Sequence, residues 1–306
     1  MELVERYQGC LLGLACGDAV GTTLEFKPRG SFEPITDMVG GGPFNLEPGQ
    51  WTDDTSMALC LAESLIEKKG FDPLDQMDRY VRWYRTGYLS STGVCFDIGG
   101  TTASALRRFE KTSDPFSGPT ERHSAGNGSL MRLAPVPLYF FPDRDAMMFY
   151  AGESSRTTHG AQECIDACRL FASILYNALS GMDKEQVLFE HHETTTDSPV
   201  IREILGGSYK GKTKDQLQGT GYVVHSLEAA LWCFYSTDTF RDAIVLAANL
   251  GDDADTTAAI CGQLAGCYYG RQGIPDLWLR RLTMRGKIEL LAQNLYMTVA
   301  MKYKPE

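Results

Sequence analysis

The chain has 306 residues, 43% of them hydrophobic and 22% charged, with a formal net charge of −10, a composition that suits one large soluble domain or two average ones. A mean hydropathy of −0.22, with no uninterrupted apolar run, excludes a bilayer-spanning helix. The acidic balance excludes non-specific nucleic-acid binding, which rests on Lys and Arg neutralising phosphates, but not a small phosphorylated ligand held by helix N-termini or cations.

In chain order, Val4, Tyr7, Leu11 and Leu14 fall at helical spacing and predict a helix over 4–17. After the stretch Thr52-Asp53-Asp54-Thr55, an apolar stripe at Ala58, Leu61, Ala62 and Leu65 predicts a second helix. It should end at Lys68-Lys69-Gly70, a basic last turn with a glycine stop. Further helices are expected over 73–86, 98–109, 144–152, 161–180, 221–235, 240–249, 256–269 and 276–283, with long loops at 19–50 and 110–128 and an exposed Lys/Gly-rich loop at 206–219. Strict alternation is rare, and neither a linker nor an internal repeat divides the chain. The reading is an all-α, single-domain orthogonal helical bundle over residues 1–306.

Two helices carry small residues at four-residue spacing: Gly9, Gly13 and Gly17 on the first, and Ala258, Gly262 and Gly266 along 256–269, with Gly270 one step further. Each glycine weakens its helix, so a series on one face implies close backbone approach. These two helices are expected to pack against each other or a shared neighbour. The charged start MELVERYQGC lacks the apolar core of a signal peptide, and the nine cysteines include no C-x-x-C pair. They read as reduced, buried thiols of a cytoplasmic protein.

The chemistry concentrates at two loop-to-helix junctions. Thr52-Asp53-Asp54-Thr55 has a distant counterpart in Asp252-Asp253-Ala254-Asp255-Thr256-Thr257. Closely spaced oxygen ligands suit Mg²⁺, Mn²⁺ or Ca²⁺, and concentrated negative charge is unfavourable without a cation to offset it. Either cluster alone reads equally well as an N-cap; the duplication favours a two-metal centre. The EF-hand alternative fails, since neither stretch ends in the required Glu. Glu25 follows a glycine-rich helix end, Asp97 precedes the Gly99-Gly100 pair, and Gly126-Asn127-Gly128-Ser129 forms a turn able to approach a phosphate. His159 sits at a helix junction. Taken singly, each has an ordinary structural explanation.

Together, GCLLGLACGDAVGTTLEF, PGQWTDDTSMAL, CFDIGGTT, GNGSLMRLAPV, THG, GYVVHSLEAALWCF and NLGDDADTTAAICGQLAGCYYG, spread in order over residues 8–270, resemble the ADP-ribosylglycohydrolase family, most closely its bacterial dinitrogenase reductase-activating branch. The resemblance implies an α-helical fold with two Mg²⁺ or Mn²⁺ ions held by Thr52, Asp53, Asp54, Asp253, Asp255 and Thr256. Asp252 stands where many relatives have glycine and is expected behind the ligands or as a cap. It further implies Asp97 and Glu25 as the catalytic acids, in that order of preference. Gly99, Gly100, Gly126 to Ser129 and His159 would contact ADP-ribose, with Tyr222 near its adenosine end. The implied activity is metal-dependent hydrolysis of ADP-ribosyl-arginine on protein, by a monomer. The alternatives are an O-linked substrate (serine-linked or O-acetyl-ADP-ribose) or a non-catalytic ADP-ribose-binding member.

Overall fold

A computed structural model of the chain describes residues 1–190, 196 and 198–302. Among these the regular structure is helical: α1 (Leu3–Gly21), α2 (Asp53–Lys68), α3 (Pro73–Thr86), α4 (Gly100–Thr112), α5 (Pro135–Phe140), α6 (Arg144–Arg156) and α7 (Gln162–Leu179) make up the first half. The second holds α8 (Lys184–Phe189), α9 (Pro199–Leu205), α10 (Val223–Tyr235), α11 (Phe240–Ala248), α12 (Ala254–Tyr269), α13 (Asp276–Arg281) and α14 (Arg285–Lys302). Only isolated β-bridges occur among the described residues. The expected all-α bundle is what forms, around one continuous buried apolar cluster.

The central pair is α1 against α12, and it is antiparallel. A Cβ on Gly9 would meet the Gly266 carbonyl oxygen at 2.1 Å, one on Gly13 that of Gly262 at 2.2 Å, and one on Gly17 that of Ala258 at 2.1 Å. Neighbouring side chains Leu11, Leu12, Leu14 and Val20 are fully buried around this contact, each contributing roughly 1.5–3 kcal/mol. The small-residue faces therefore meet as expected. They have a consequence for the site: the C-terminal end of α1 is pressed onto the N-terminal turn of α12, down to Gly21 against Ala254.

Several expectations are corrected. α1 runs four residues past Gly17, because the close packing against α12 continues to Gly21. α4 starts at Gly100 rather than 98, since Gly99 is extended at φ −61° and ψ 147° and serves as its N-cap. α2 ends at Lys68 within the expected stretch, but the left-handed stop is Lys69 at φ 56° rather than Gly70, whose N–H donates to the Leu65 carbonyl at 3.2 Å. α5, α8, α9 and α14 were not expected. The first three have six or seven residues, too few for periodicity to register. α14 does carry a buried stripe, Ile288, Leu291, Ala292, Leu295 and Val299, and it closes the bundle beside α1 through an edge contact of Tyr296 on Tyr7 at 5.6 Å. The 206–219 loop is largely exposed but pinned by buried Tyr209 and Leu217. All nine cysteines are free thiols, and only Cys95 is not buried.

Candidate active site

Whether the two acidic clusters are caps is answered at their own helices. Thr52 and Asp253 occupy the N-cap positions of α2 and α12, yet neither side chain accepts a capping hydrogen bond. The cap of α2 comes from another helix. Asp18, on α1, accepts from Thr52 N–H at 2.8 Å and Thr55 N–H at 3.0 Å, and from the Thr52 and Thr55 hydroxyls at 2.9 and 2.6 Å. Thr52 Oγ1 also lies 3.2 Å from Asp54 Oδ2 and 3.1 Å from Asp255 Oδ2. The Thr256 hydroxyl approaches Asp54 Oδ2 at 3.5 Å. The two clusters, about two hundred residues apart in sequence, converge because α1 clamps onto α12 while Asp18 grips α2.

Two triads result, Asp18–Asp54–Asp255 and Glu25–Asp97–Asp255, each with carboxylate oxygens within 4.8 Å of one another and each sharing Asp255. Asp54 Oδ1 and Asp255 Oδ1 are buried without a hydrogen-bond partner. Buried polar atoms are nearly always satisfied, so two orphaned carboxylate oxygens in one acidic cluster fit a cation. The donor set is all oxygen, as hard divalent ions prefer. Without one, burial and mutual repulsion favour the protonated forms of these acids. Burial, then the Asp97 charge, push Asp53 well above the carboxylate range; burial, then Asp18, push Asp54; burial, then Glu25, push Asp255. Asp18 is raised to about 6 by burial, partly offset by its four hydrogen bonds.

The cleft in front of the cluster has a volume of about 630 Å³ and is lined by Glu25, Asp53, Asp97, Asp252, Asp253, Asp255 and Thr256, among others. Burial and the neighbouring Asp97 charge raise Glu25 to about 10, while burial raises Asp97 to about 7. A hydrogen bond between them favours the proton on Glu25. Asp252 is not a cap. With φ 55° it braces the Glu25 loop through its backbone, receiving the Phe26 N–H at 2.7 Å and donating to the Lys27 carbonyl at 2.9 Å.

The opposite wall is the Gly99-Gly100 start of α4 and the turn at 126–128. Asn127 Nδ2 donates to Asp253 Oδ2 at 2.7 Å, so it orients one of the expected ligands. Arg132 lies fully buried beneath the turn, donating to the Gly128 carbonyl at 2.8 Å and the Thr158 hydroxyl at 2.8 Å, with its guanidinium over the Tyr80 ring. His159 packs so tightly on the turn that a Cβ on Gly128 would meet its Cε1 at 2.7 Å. Burial and Arg132 hold this imidazole neutral, down to about 3.

The sequence profile of the ADP-ribosylglycohydrolase family matches residues 1–305. The chain belongs to this family. It is 46% identical to an ADP-ribosylarginine hydrolase Tri1 of Pseudomonas putida over 96% of its own length and 79% of the relative's. It is 32% identical to the ADP-ribosyl-[dinitrogen reductase] glycohydrolase of Rhodospirillum rubrum, covering 94% of each. A solved structure described as an ADP-ribosylglycohydrolase-related protein complex superposes with a TM-score of 0.86 at 44% identity, over 97% of this chain and 99% of that one.

Against this ADP-ribosylglycohydrolase fold, two expected contact residues lie off the cleft. The Ser129 hydroxyl is buried against Ser155 Oγ at 2.8 Å. The Tyr222 hydroxyl donates to Glu163 Oε2 at 2.7 Å, and its backbone pairs with Gly126 across an isolated bridge. The residue that sequence reasoning missed is Asp18. Its signal was a lone carboxylate within the glycine-rich apolar helix α1, where a buried charge needs a partner.

Proposed function

We propose that the chain is an ADP-ribosylarginine hydrolase: a monomeric, cytoplasmic enzyme with two Mg²⁺ or Mn²⁺ ions. The observation that carries the reading is the pair of buried triads sharing Asp255, with its two orphaned oxygens, opening onto a cleft of ligand size. Thr52, Asp53, Asp54, Asp253, Asp255 and Thr256 are the proposed ligands, with Asp18 gripping Thr52 and Thr55 at the start of α2. Divalent cations bound there would supply the positive charge that lets these acids ionise together and would polarise ribose and water oxygens.

Hydrolysis breaks the bond from the anomeric carbon to a guanidine nitrogen and forms one to a water oxygen. The leaving nitrogen must gain a proton and the water must lose one. Glu25, which keeps its proton beside Asp97, is the donor to the guanidine. Asp97 accepts from the water and, as a carboxylate, stabilises oxocarbenium-like charge at the ribose. The unpaired first-turn N–H groups of α4, behind Gly99 and Gly100, and the backbone of Gly126 to Gly128 suit the diphosphate. His159, neutral and wedged against Gly126 and Gly128, keeps that turn in place.

The test is release of ADP-ribose from an ADP-ribosyl-arginine protein, with serine-linked substrate in parallel. Activity should require Mg²⁺ or Mn²⁺, vanish with chelator, and be lost in Asp253→Ala. Equal turnover in chelator, or turnover only of the serine-linked substrate, would overturn the reading.

A further inference from the structure

Three phenylalanine rings stand between the two loops that carry the proposed acids. Phe26 follows Glu25, Phe96 precedes Asp97, and Phe44 bridges them, its ring centroid 6.4 Å from that of Phe26 and 5.1 Å from that of Phe96. None of the three packs against the hydrophobic core, and Phe26 is 64% exposed. Scattered exposed apolar residues need no explanation. Three rings in contact, one of them lining an acidic cleft, do.

The backbone is built to hold them outward. Phe26 has φ 61°, a left-handed conformation that a bulky side chain adopts only when its surroundings enforce it. Here its N–H donates to the Asp252 carbonyl at 2.7 Å. Phe44 rides a turn closed by reciprocal bonds between Gly41 and Leu46, at 2.7 and 2.9 Å. That turn is fixed onto the end of α1: a Cβ on Gly42 would meet the Thr22 carbonyl oxygen at 2.1 Å, and Thr23 Oγ1 donates to the Gly40 carbonyl at 3.0 Å. Among the residues lining the cleft there are acids, including Glu25, Asp97 and Asp252, and no Lys or Arg. The occupant that matches an aromatic face ringed by carboxylates is a flat organic cation.

We propose that Phe26, backed by Phe44 and Phe96, is the platform on which the guanidinium of the target arginine stacks. This deepens the proposed function and rests on it. Stacking would hold the leaving group beside Glu25 and would favour arginine over a neutral hydroxyl or ester leaving group, which gains no cation–π attraction.

The test compares Phe26→Leu, which keeps apolar bulk, with Phe26→Trp, which keeps an aromatic face. Phe26→Leu should lower kcat/KM on an ADP-ribosyl-arginine peptide by about three- to thirtyfold, the span of cation–π energies. Phe26→Trp should not, and ADP-ribose affinity by calorimetry should be unchanged in both. Wild-type kinetics in Phe26→Leu would overturn the proposal. So would equal losses in both variants with weakened ADP-ribose binding, since the rings would then only fasten the two loops. A wild-type protein that releases no ADP-ribose from arginine would refute the functional reading alone. The platform is then judged by nuclear magnetic resonance titration of a short arginine peptide into the ADP-ribose-loaded protein: binding weakened by Phe26→Leu supports it, and unchanged or absent binding refutes it.

Discussion

Asp97→Asn should abolish catalysis and yet stabilise the metal-free protein above neutral pH. The sign follows from the raised carboxyl. Asp97 ionises near 3.8 unfolded and at about 7 folded, so between those values the native state holds a proton that the unfolded state has released, and stability falls as pH rises. The interval is roughly three pH units, or about 4 kcal/mol at 1.36 kcal/mol per unit, reached in full above pH 7. Asp97 is partly open to the cleft and loses part of its bond with Glu25 on substitution, so about 2 kcal/mol is the better expectation. For a chain of 306 residues that is a rise in Tm of about 3 °C. The assay is thermal unfolding in chelator from pH 4 to 8, then with Mg²⁺. The gap between variant and wild type should be absent at pH 4, open through pH 5–7 and flatten above. Mg²⁺ should then stabilise the wild type increasingly at higher pH, because cations displace the protons these acids hold, and so narrow the gap. A variant less stable than wild type in chelator at pH 8, or a gap that ignores pH, would refute the argument that uncompensated carboxylates strain this cleft.

Two further substitutions probe the scaffold. Asp18→Ala strands two buried N–H groups at the start of α2, each worth about 1–3 kcal/mol when unpaired. It should weaken Mn²⁺ binding, read by electron paramagnetic resonance, more than a core variant such as Leu59→Ala matched for loss of Tm; equal metal affinity in the two would reduce Asp18 to a packing residue. Gly13→Ala places a methyl 2.2 Å from the Gly262 carbonyl oxygen and should lower stability by about 1–3 kcal/mol, as overpacking does, despite the better helix propensity of Ala; a stabilised variant would show that α1 and α12 can separate freely.

The parts of this fold legible in the sequence were those with a local signature. Long amphipathic stretches such as α3 and α7 announce themselves by period. The glycine series announced a close contact, since only proximity explains repeated loss of side chains. Paired acids at two junctions pointed to a cluster that could hold a cation, and the structure gathers them and withholds the alternative: neither Thr52 nor Asp253 caps its helix. What could not be read was anything set by contact between elements. Asp18 caps α2 from α1, a relation that exists only once the glycine face has docked α12 and brought Asp255 to Thr52. Asn127 looked like a turn residue because its partner, Asp253, is 126 positions away. Nothing local in the sequence marks Phe26, whose backbone is turned left-handed and whose ring stays out of the core. The same logic explains why the site is assembled this way. A helix N-terminus repels cations, so an acidic cluster at the start of α2 suits a cation better once the helix's own N–H groups are answered by a carboxylate from another helix. Asp18 does this for α2 through Thr52 and Thr55, so the Asp53 and Asp54 carboxylates are not needed as its cap.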